Sequence, residues 1–251
     1  MKKTGLAIFT VCLIFFIFLL YARKPVIAGK ITGQTVYLSF QNLFHSKDAG
    51  DTAQFMLIDD DSGPGIFKIY EICERVGVKA TFAVVPAFLD SARCDSLRKW
   101  HDEGYGIALH GYNHGKWKDW NIDEITNDID RCLFFLNDRG FRNVDSINMI
   151  VVPSFYNTSS IREAIQKKGM KMILGGNVVN PDTKVFIWGR LFITKNTDVE
   201  KIRLVLKETR DRKYSIVFGT HSSIPDEFSA EKTEKILLMA KEMLNNSHVS
   251  E

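Results

Sequence analysis

The chain has 251 residues, of which 45% are hydrophobic and 25% charged, with a formal net charge of +3. That length suits one sizeable catalytic domain, and the composition is that of a globular protein rather than a disordered or fibrous one. So small a charge, with no dense basic patch interleaved with aromatics, argues against nucleic acid as a partner. The four cysteines show no Cys-x-x-Cys spacing, which argues against a cysteine metal site. Three of them lie outside the apolar N-terminal run, an odd number that does not complete a disulfide framework.

Lys2-Lys3 precede an uncharged, mostly apolar stretch, Gly5 to Ala22, and Arg23-Lys24 follow it. The run is long enough to span a hydrocarbon core of ~30 Å. Residues 1–24 are therefore expected to be a transmembrane anchor or a signal segment, with Val26-Ile27-Ala28 as a cleavage site in the second case. Basic residues flank both ends, so the positive-inside rule leaves the orientation open. Residues 25–50 read as a membrane-proximal connection with one short strand, Thr35 to Phe40, residues 51–246 as the main domain, and residues 247–251 as a tail.

From residue 51 strand and helix patterns alternate. Phe55 to Ile58 is a short apolar run of strand type. Ile66, Ile69, Tyr70, Cys73 and Val76 form a helical stripe that Gly77 ends. Lys79 to Val85 is a strand closed by Pro86. A helix over Ser91 to Glu103 leads to the strand Gly106 to Leu109. Ile125, Ile129, Cys132, Leu133 and Leu136 mark the next helix, and Ile147 to Val152 the next strand. Ser160-Ile161-Arg162-Glu163 reads as a capping box. Met170 to Leu174, Val185 to Trp188 and Leu191 to Thr194 are further strands. Val199, Ile202 and Leu206 mark a helix, Tyr214 to Phe218 a strand and Ser229 to Leu244 the last helix. This alternation predicts an α/β fold with a parallel sheet. The number of strands favours a distorted (β/α) barrel of about seven.

Two motifs carry the chemistry. Asp59-Asp60-Asp61 follows one predicted strand, and His110-Gly111-Tyr112-Asn113-His114 follows another. In α/β folds the C-terminal ends of strands are where sites gather. Three adjacent carboxylates repel one another unless a cation or donors neutralise them, although aspartates also cap helices. The histidines at i and i+4 can present two ring nitrogens to one ion on a helical turn, or be a chance surface pair. Two imidazoles and a carboxylate suit a catalytic zinc with a position open for water. His221, after a third strand, suits proton donation near neutral pH. Pro153-Ser154 closes a fourth, where a backbone N–H can face an oxyanion. Tyr112, Trp117 and Trp120 offer faces for sugar rings, or simply pack.

Taken together these residues resemble the polysaccharide deacetylase (NodB-homology) family of carbohydrate esterases, over roughly residues 51 to 246. Leu57-Ile58-Asp59-Asp60-Asp61 is similar to the family's T-F-D-D-G motif. The register implies Asp59 as catalytic base and Asp60 as metal ligand, with a shift of one, to Asp60 and Asp61, left open. His110 to His114 is similar to H-S/T-x-x-H, with Gly111 where a hydroxyl usually braces the loop. Ser215 to His221 is similar to the last motif and makes His221 the acid. Two elements depart from the pattern. Val151 stands where the arginine of R-x-P-Y would be, with Ser154 in place of its aromatic, so Asp59 needs another partner. Met170 to Asp182 offers no clear Asp-Trp element.

The resemblance implies a hydrolase that uses a divalent metal, expected to be zinc, on Asp60, His110 and His114. Asp59, His221 and the Ser154 N–H are its catalytic groups. It would remove acetyl groups from an envelope or cell-wall polysaccharide, membrane-anchored and with its domain on the extracytoplasmic side. The departures keep two alternatives open: a deacetylase-like protein that binds glycan without turnover, and a related metal-dependent amide hydrolase.

Overall fold

The computed structural model describes residues 25–31, 34–39, 53–175 and 187–245. The anchor or signal segment and the C-terminal tail lie outside them. Among the described residues no helix is long and apolar enough to cross a membrane.

The first two strands, β1 (Pro25–Ile31) and β2 (Gln34–Ser39), form an antiparallel hairpin with a bulge between Ile27 and Gly29. One short strand was expected in this stretch.

The domain then alternates as predicted. It runs β3 (Gln54–Asp59), α1 (Ile66–Val76), β4 (Thr81–Val84), α2 (Ser91–Asp102), β5 (Gly106–Leu109), α3 (Ile122–Asp138), β6 (Met149–Val151) and α4 (Ser159–Lys167). It continues with β7 (Lys171–Ile173), β8 (Ile187–Trp188), β9 (Leu191–Phe192), α5 (Val199–Asp211), β10 (Ser215–Thr220) and α6 (Ala230–Asn245). The eight strands β3 to β10 form one sheet in the order β8-β7-β6-β5-β4-β3-β10-β9, with every pair parallel.

The sheet has eight strands, not about seven, and the reason lies at its edges. Among the described residues β8 pairs only with β7 and β9 only with β10, yet Gly189 and Arg190 alone separate them. Trp188 and Leu191 are therefore three residue steps apart and lie within about 11 Å of each other, so the two edges of the sheet must meet. Ile187–Phe192 works as one interrupted strand, its first half on β7 and its second on β10. Counted by chain segments the wall has seven staves; counted by strands it has eight.

Side-chain alternation splits the apolar residues into two layers. Ile58, Ala83, Ala108, Val151, Ile173, Trp188 and Val217, one from each stave, form a cluster inside the curled sheet. Their neighbours Leu57, Phe82, Val84, Leu109, Ile150, Met172 and Phe218 face outward and pack with the helices. α1 buries Ile66, Ile69, Ile72, Cys73 and Val76 in that outer layer. Tyr70, expected in the stripe, is only half buried and stacks on Trp100 at 4.3 Å. Each fully buried isoleucine contributes about 1.5–3 kcal/mol. α4 begins one residue before the expected capping box. Its N-cap is Thr158, whose hydroxyl accepts from the Ile161 N–H at 3.2 Å.

Candidate active site

The C-terminal rims of β3, β5, β6, β9 and β10 bring the chemical groups together, and strand alternation sorts them. Ile58 points inside and Leu57 outside, so Asp59 falls on the outer face and Asp60 on the inner one. The contacts agree. Asp59 is fully buried and meets residues at the end of β10. The hydroxyls of Thr220 and Ser222 donate to its two oxygens at 2.7 and 2.6 Å, and the Ser222 N–H donates at 2.9 Å. Burial, only partly offset by these donors, pushes its carboxyl up to about 7. Its charge also faces α1, where burial first and Asp59 second push the Cys73 thiol up to about 12.

Asp60, equally buried, turns to Arg190, which donates Nη1–H and Nη2–H to its two oxygens at 2.6 and 3.0 Å. Arg190 is itself fully buried. Its guanidinium lies 5.0 and 4.9 Å from the ring centroids of Phe155 and Phe192, which adjoin each other at 5.5 Å. Arg190 Nε and Trp188 Nε1, two residues apart along the interrupted strand, are buried without a hydrogen-bond partner among the described residues. His221 stacks on Phe192, with centroids 5.0 Å apart and an interplanar angle of 10°. Its Nε2 lies 3.4 Å from Asp60 Oδ2, and its Nδ1 lies 3.4 Å from Glu227 Oε2.

The carboxylate beside the two imidazoles is that of Asp61. Its Oδ1 lies 3.4 Å from His110 Nε2 and 3.7 Å from His114 Nε2. Asp60, expected with the histidines, is not in that group: alternation and the Arg190 pair direct it elsewhere. Asp61 and Ser62 both have left-handed backbones, with φ of 71° and 50°. Such strain persists only where the surroundings impose it. Here the buried Ser62 hydroxyl donates to Ala83 O at 2.9 Å and accepts from the Val85 N–H at 3.2 Å, while Arg93 holds Ser62 O.

The histidine pair lies on a loop, not on the helical turn that its spacing suggested. His110 Nδ1 is 2.7 Å from Val151 O. A carbonyl oxygen only accepts, so Nδ1–H donates to it and Nε2 is the nitrogen turned toward Asp61. The loop turns at Gly111, with φ of 72°, where a Cβ would come within 3.0 Å of Pro153 Cγ. The brace is Asp128 of α3, a buried carboxylate that accepts from the Tyr112 N–H at 2.9 Å and from Trp117 Nε1–H at 3.2 Å. Trp117 is fully buried, which settles it as packing rather than a sugar platform. Arg131 covers the Tyr112 ring at 4.0 Å.

Asp61, His110 and His114 each offer one ligand atom, and these atoms lie within 4.8 Å of one another. Two atoms bound to one tetrahedral zinc at about 2.0–2.1 Å lie roughly 3.3 Å apart, close to the separations from Asp61. Burial opposes ionisation of Asp61, but His110, His221 and His114 more than offset it and hold its carboxyl below the usual range. Burial first and His110 second push the His114 ring down, which favours the neutral form that can ligate. The donor set fits a divalent cation.

Ser154, at the end of β6, is exposed, and both it and Phe155 have left-handed backbones, with φ of 54° and 56°. The turn places Phe155 under Arg190. Arg190, Asp128, Thr220 and Ser222 were not picked out from the sequence. The signal for Arg190 was available only as a lone cation between two predicted strands.

The curled parallel sheet with its helical jacket carries a rim of carboxylates and imidazoles at the C-terminal ends of its strands. A family model described as polysaccharide deacetylase matches residues 46–173, about half of the chain, and the chain belongs to that family. No curated protein matches the chain significantly. Among solved structures, it is similar to the Xyl-CE4 domain of a multidomain xylanase from the hindgut metagenome of Trinervitermes trinervoides. Identity is 18% and TM-score 0.55, over 78% of this chain and 84% of that one. A family 4 acetyl xylan esterase from Clostridium thermocellum, in complex with a cobalt ion, matches at 16% identity and TM-score 0.57, over 75% and 84%. A CE4 family pseudoenzyme from Bacillus anthracis matches at 14% and 0.54, over 83% and 70%. At these identities the likeness concerns the fold.

Proposed function

We propose that this protein is a metal-dependent hydrolase that removes acetyl groups from an envelope or cell-wall polysaccharide, with Asp60 as its base and Asp61 as its metal ligand. The observation that carries the reading is the division of labour among three consecutive aspartates. Asp59 is tied to β10, Asp60 to Arg190 and Asp61 to the two histidines.

Asp61, His110 and His114 would hold the ion, for which the donor set favours zinc. A divalent ion there supplies a Lewis acid toward a carbonyl oxygen and acidifies water. Arg190 fixes the Asp60 carboxylate by two parallel bonds, with Oδ2 also beside His221. Asp60 takes one proton from the water that attacks the acetyl carbonyl. His221, held against Phe192 and 3.4 Å from Asp60, gives a proton to the departing nitrogen or oxygen as its bond to the acetyl carbon breaks. Acetate and the free amine or alcohol result. The Ser154 N–H, on the strained turn after β6, is the proposed oxyanion donor.

Arg190 also bears on the alternative of binding without turnover. That alternative rested on the arginine missing at Val151, and Arg190 presents a guanidinium to the inward carboxylate from another strand. The apolar run Gly5 to Ala22 supports a membrane anchor or signal segment and an extracytoplasmic site of action.

The test is acetate release from a panel of N- and O-acetylated glycans by the full-length protein, with added zinc and after chelation. Metal-dependent release supports the reading. Glycan and metal binding without acetate would select the binding protein, and turnover undiminished by chelation would remove the metal.

A further inference from the structure

Resting on the reading that Asp60 and His221 form the acid–base pair, we infer that Asp59 is the positioning residue for His221. The three hydrogen bonds it accepts come from Thr220 and Ser222, the two residues that flank His221 in the chain. Thr220 ends β10 and Ser222 lies in the turn that follows, yet the side chains of both reach Asp59 while the ring of the residue between them reaches Asp60. A carboxylate that captures both flanking residues on the outer face therefore commits the histidine between them to the inner face. There its Nε2 lies 3.4 Å from Asp60.

The clamp has independent supports. The Asp60 N–H donates to Thr220 O at 2.9 Å, which locks the two strand ends in register. Gly65 lets the turn after Asp61 lie flat on the same segment, since a Cβ there would come within 2.2 Å of the Ser222 carbonyl. The Ile224 N–H donates to His221 O, which closes a turn behind it. Glu227 touches the ring at Nδ1 but is half exposed, whereas Asp59, which holds the residues on either side, is fully buried. A carboxylate fully buried among an apolar layer is costly unless donors satisfy it. Asp59 spends three donors on one loop.

The experiment compares two substrates. An alkyl- or amide-linked acetyl needs its leaving group protonated, whereas an activated aryl acetate does not. Asp59→Ala should lower kcat on the acetylated glycan by roughly 100-fold, the scale of a lost general acid, with KM and zinc affinity unchanged. On the aryl acetate it should lose less than about tenfold, because only the leaving-group step suffers. Asp59→Asn should recover most of the glycan rate, since an amide can accept from Thr220 and the Ser222 N–H and donate to the Ser222 hydroxyl. Where Asp59→Ala fails to fold, Thr220→Val with Ser222→Ala removes donors from the other side and must show the same split. Equal losses on both substrates would overturn the inference, as would a loss of zinc affinity that matches the loss of rate. Asp60→Asn is the separate control. If it retains activity on both substrates, the base assignment fails, whatever the Asp59 variants do.

Discussion

Arg190 meets Asp60 through two hydrogen bonds of 2.6 and 3.0 Å across 130 positions of sequence, with both side chains fully buried. Neither charge is tolerable there alone. Removing one partner of a buried pair typically costs about 3–5 kcal/mol. Arg190→Met is expected to lower the urea midpoint accordingly, and the double variant with Asp60→Asn should regain part of the loss. A double variant no more stable than Arg190→Met alone would mean that the pair is not coupled.

Metal loss should separate the three aspartates. Asp61→Asn and His114→Ala are expected to weaken zinc binding at least tenfold, read by competition with a chromophoric chelator. Asp60→Asn should leave zinc affinity within about threefold while abolishing acetate release, since it is Asp61 that lies beside His110 and His114. Zinc lost on changing Asp60 and kept on changing Asp61 would reverse the assignment.

Asp128 touches no ligand, yet it ties the ends of the metal loop through Tyr112 and Trp117. Outer partners of this kind are worth 10–100-fold in metal affinity, so Asp128→Ala should weaken zinc by about that factor. Burial raises its carboxyl. A folded value above the unfolded one means that its contribution to stability is complete below the ordinary carboxylate range and is lost as pH rises through the raised value. Urea midpoints of the wild type should therefore decline over that interval relative to Asp128→Asn. A parallel pair of pH profiles would contradict this.

Cys73, Cys94 and Cys132 are free and buried. Burial raises all three thiols, Cys73 to about 12. Thiolate is the reactive form, so the native protein should label at these positions only on unfolding. Mass spectrometry after brief alkylation at pH 8 checks it; rapid modification of Cys73 would show that the outer layer opens.

Periodicity made the alternation of strands and helices readable, because each helix buries a single stripe and each strand is short and bounded. The hairpin strand Pro25–Ile31 escaped, since Pro25 and a glycine interrupt its pattern. Within Asp59-Asp60-Asp61 local electrostatics could not choose a register. The choice depends on which face of β3 is the inside of the barrel, and that is decided by the seven residues, one per stave, that meet there. Ser62, left-handed and fully buried, then falls where the family motif has its glycine. Arg190 was hidden for a related reason. A guanidinium in a strand break announces nothing until the two sheet edges close on it.

That closure has a mechanical meaning. Arg190 rides on the two-residue stitch that joins one rim of the curled sheet to the other, so any parting of the seam draws its cation away from the carboxylate it steadies. Integrity of the wall and readiness for chemistry thus vary along a single coordinate. A loosened barrel would lose its catalytic geometry before it lost its shape.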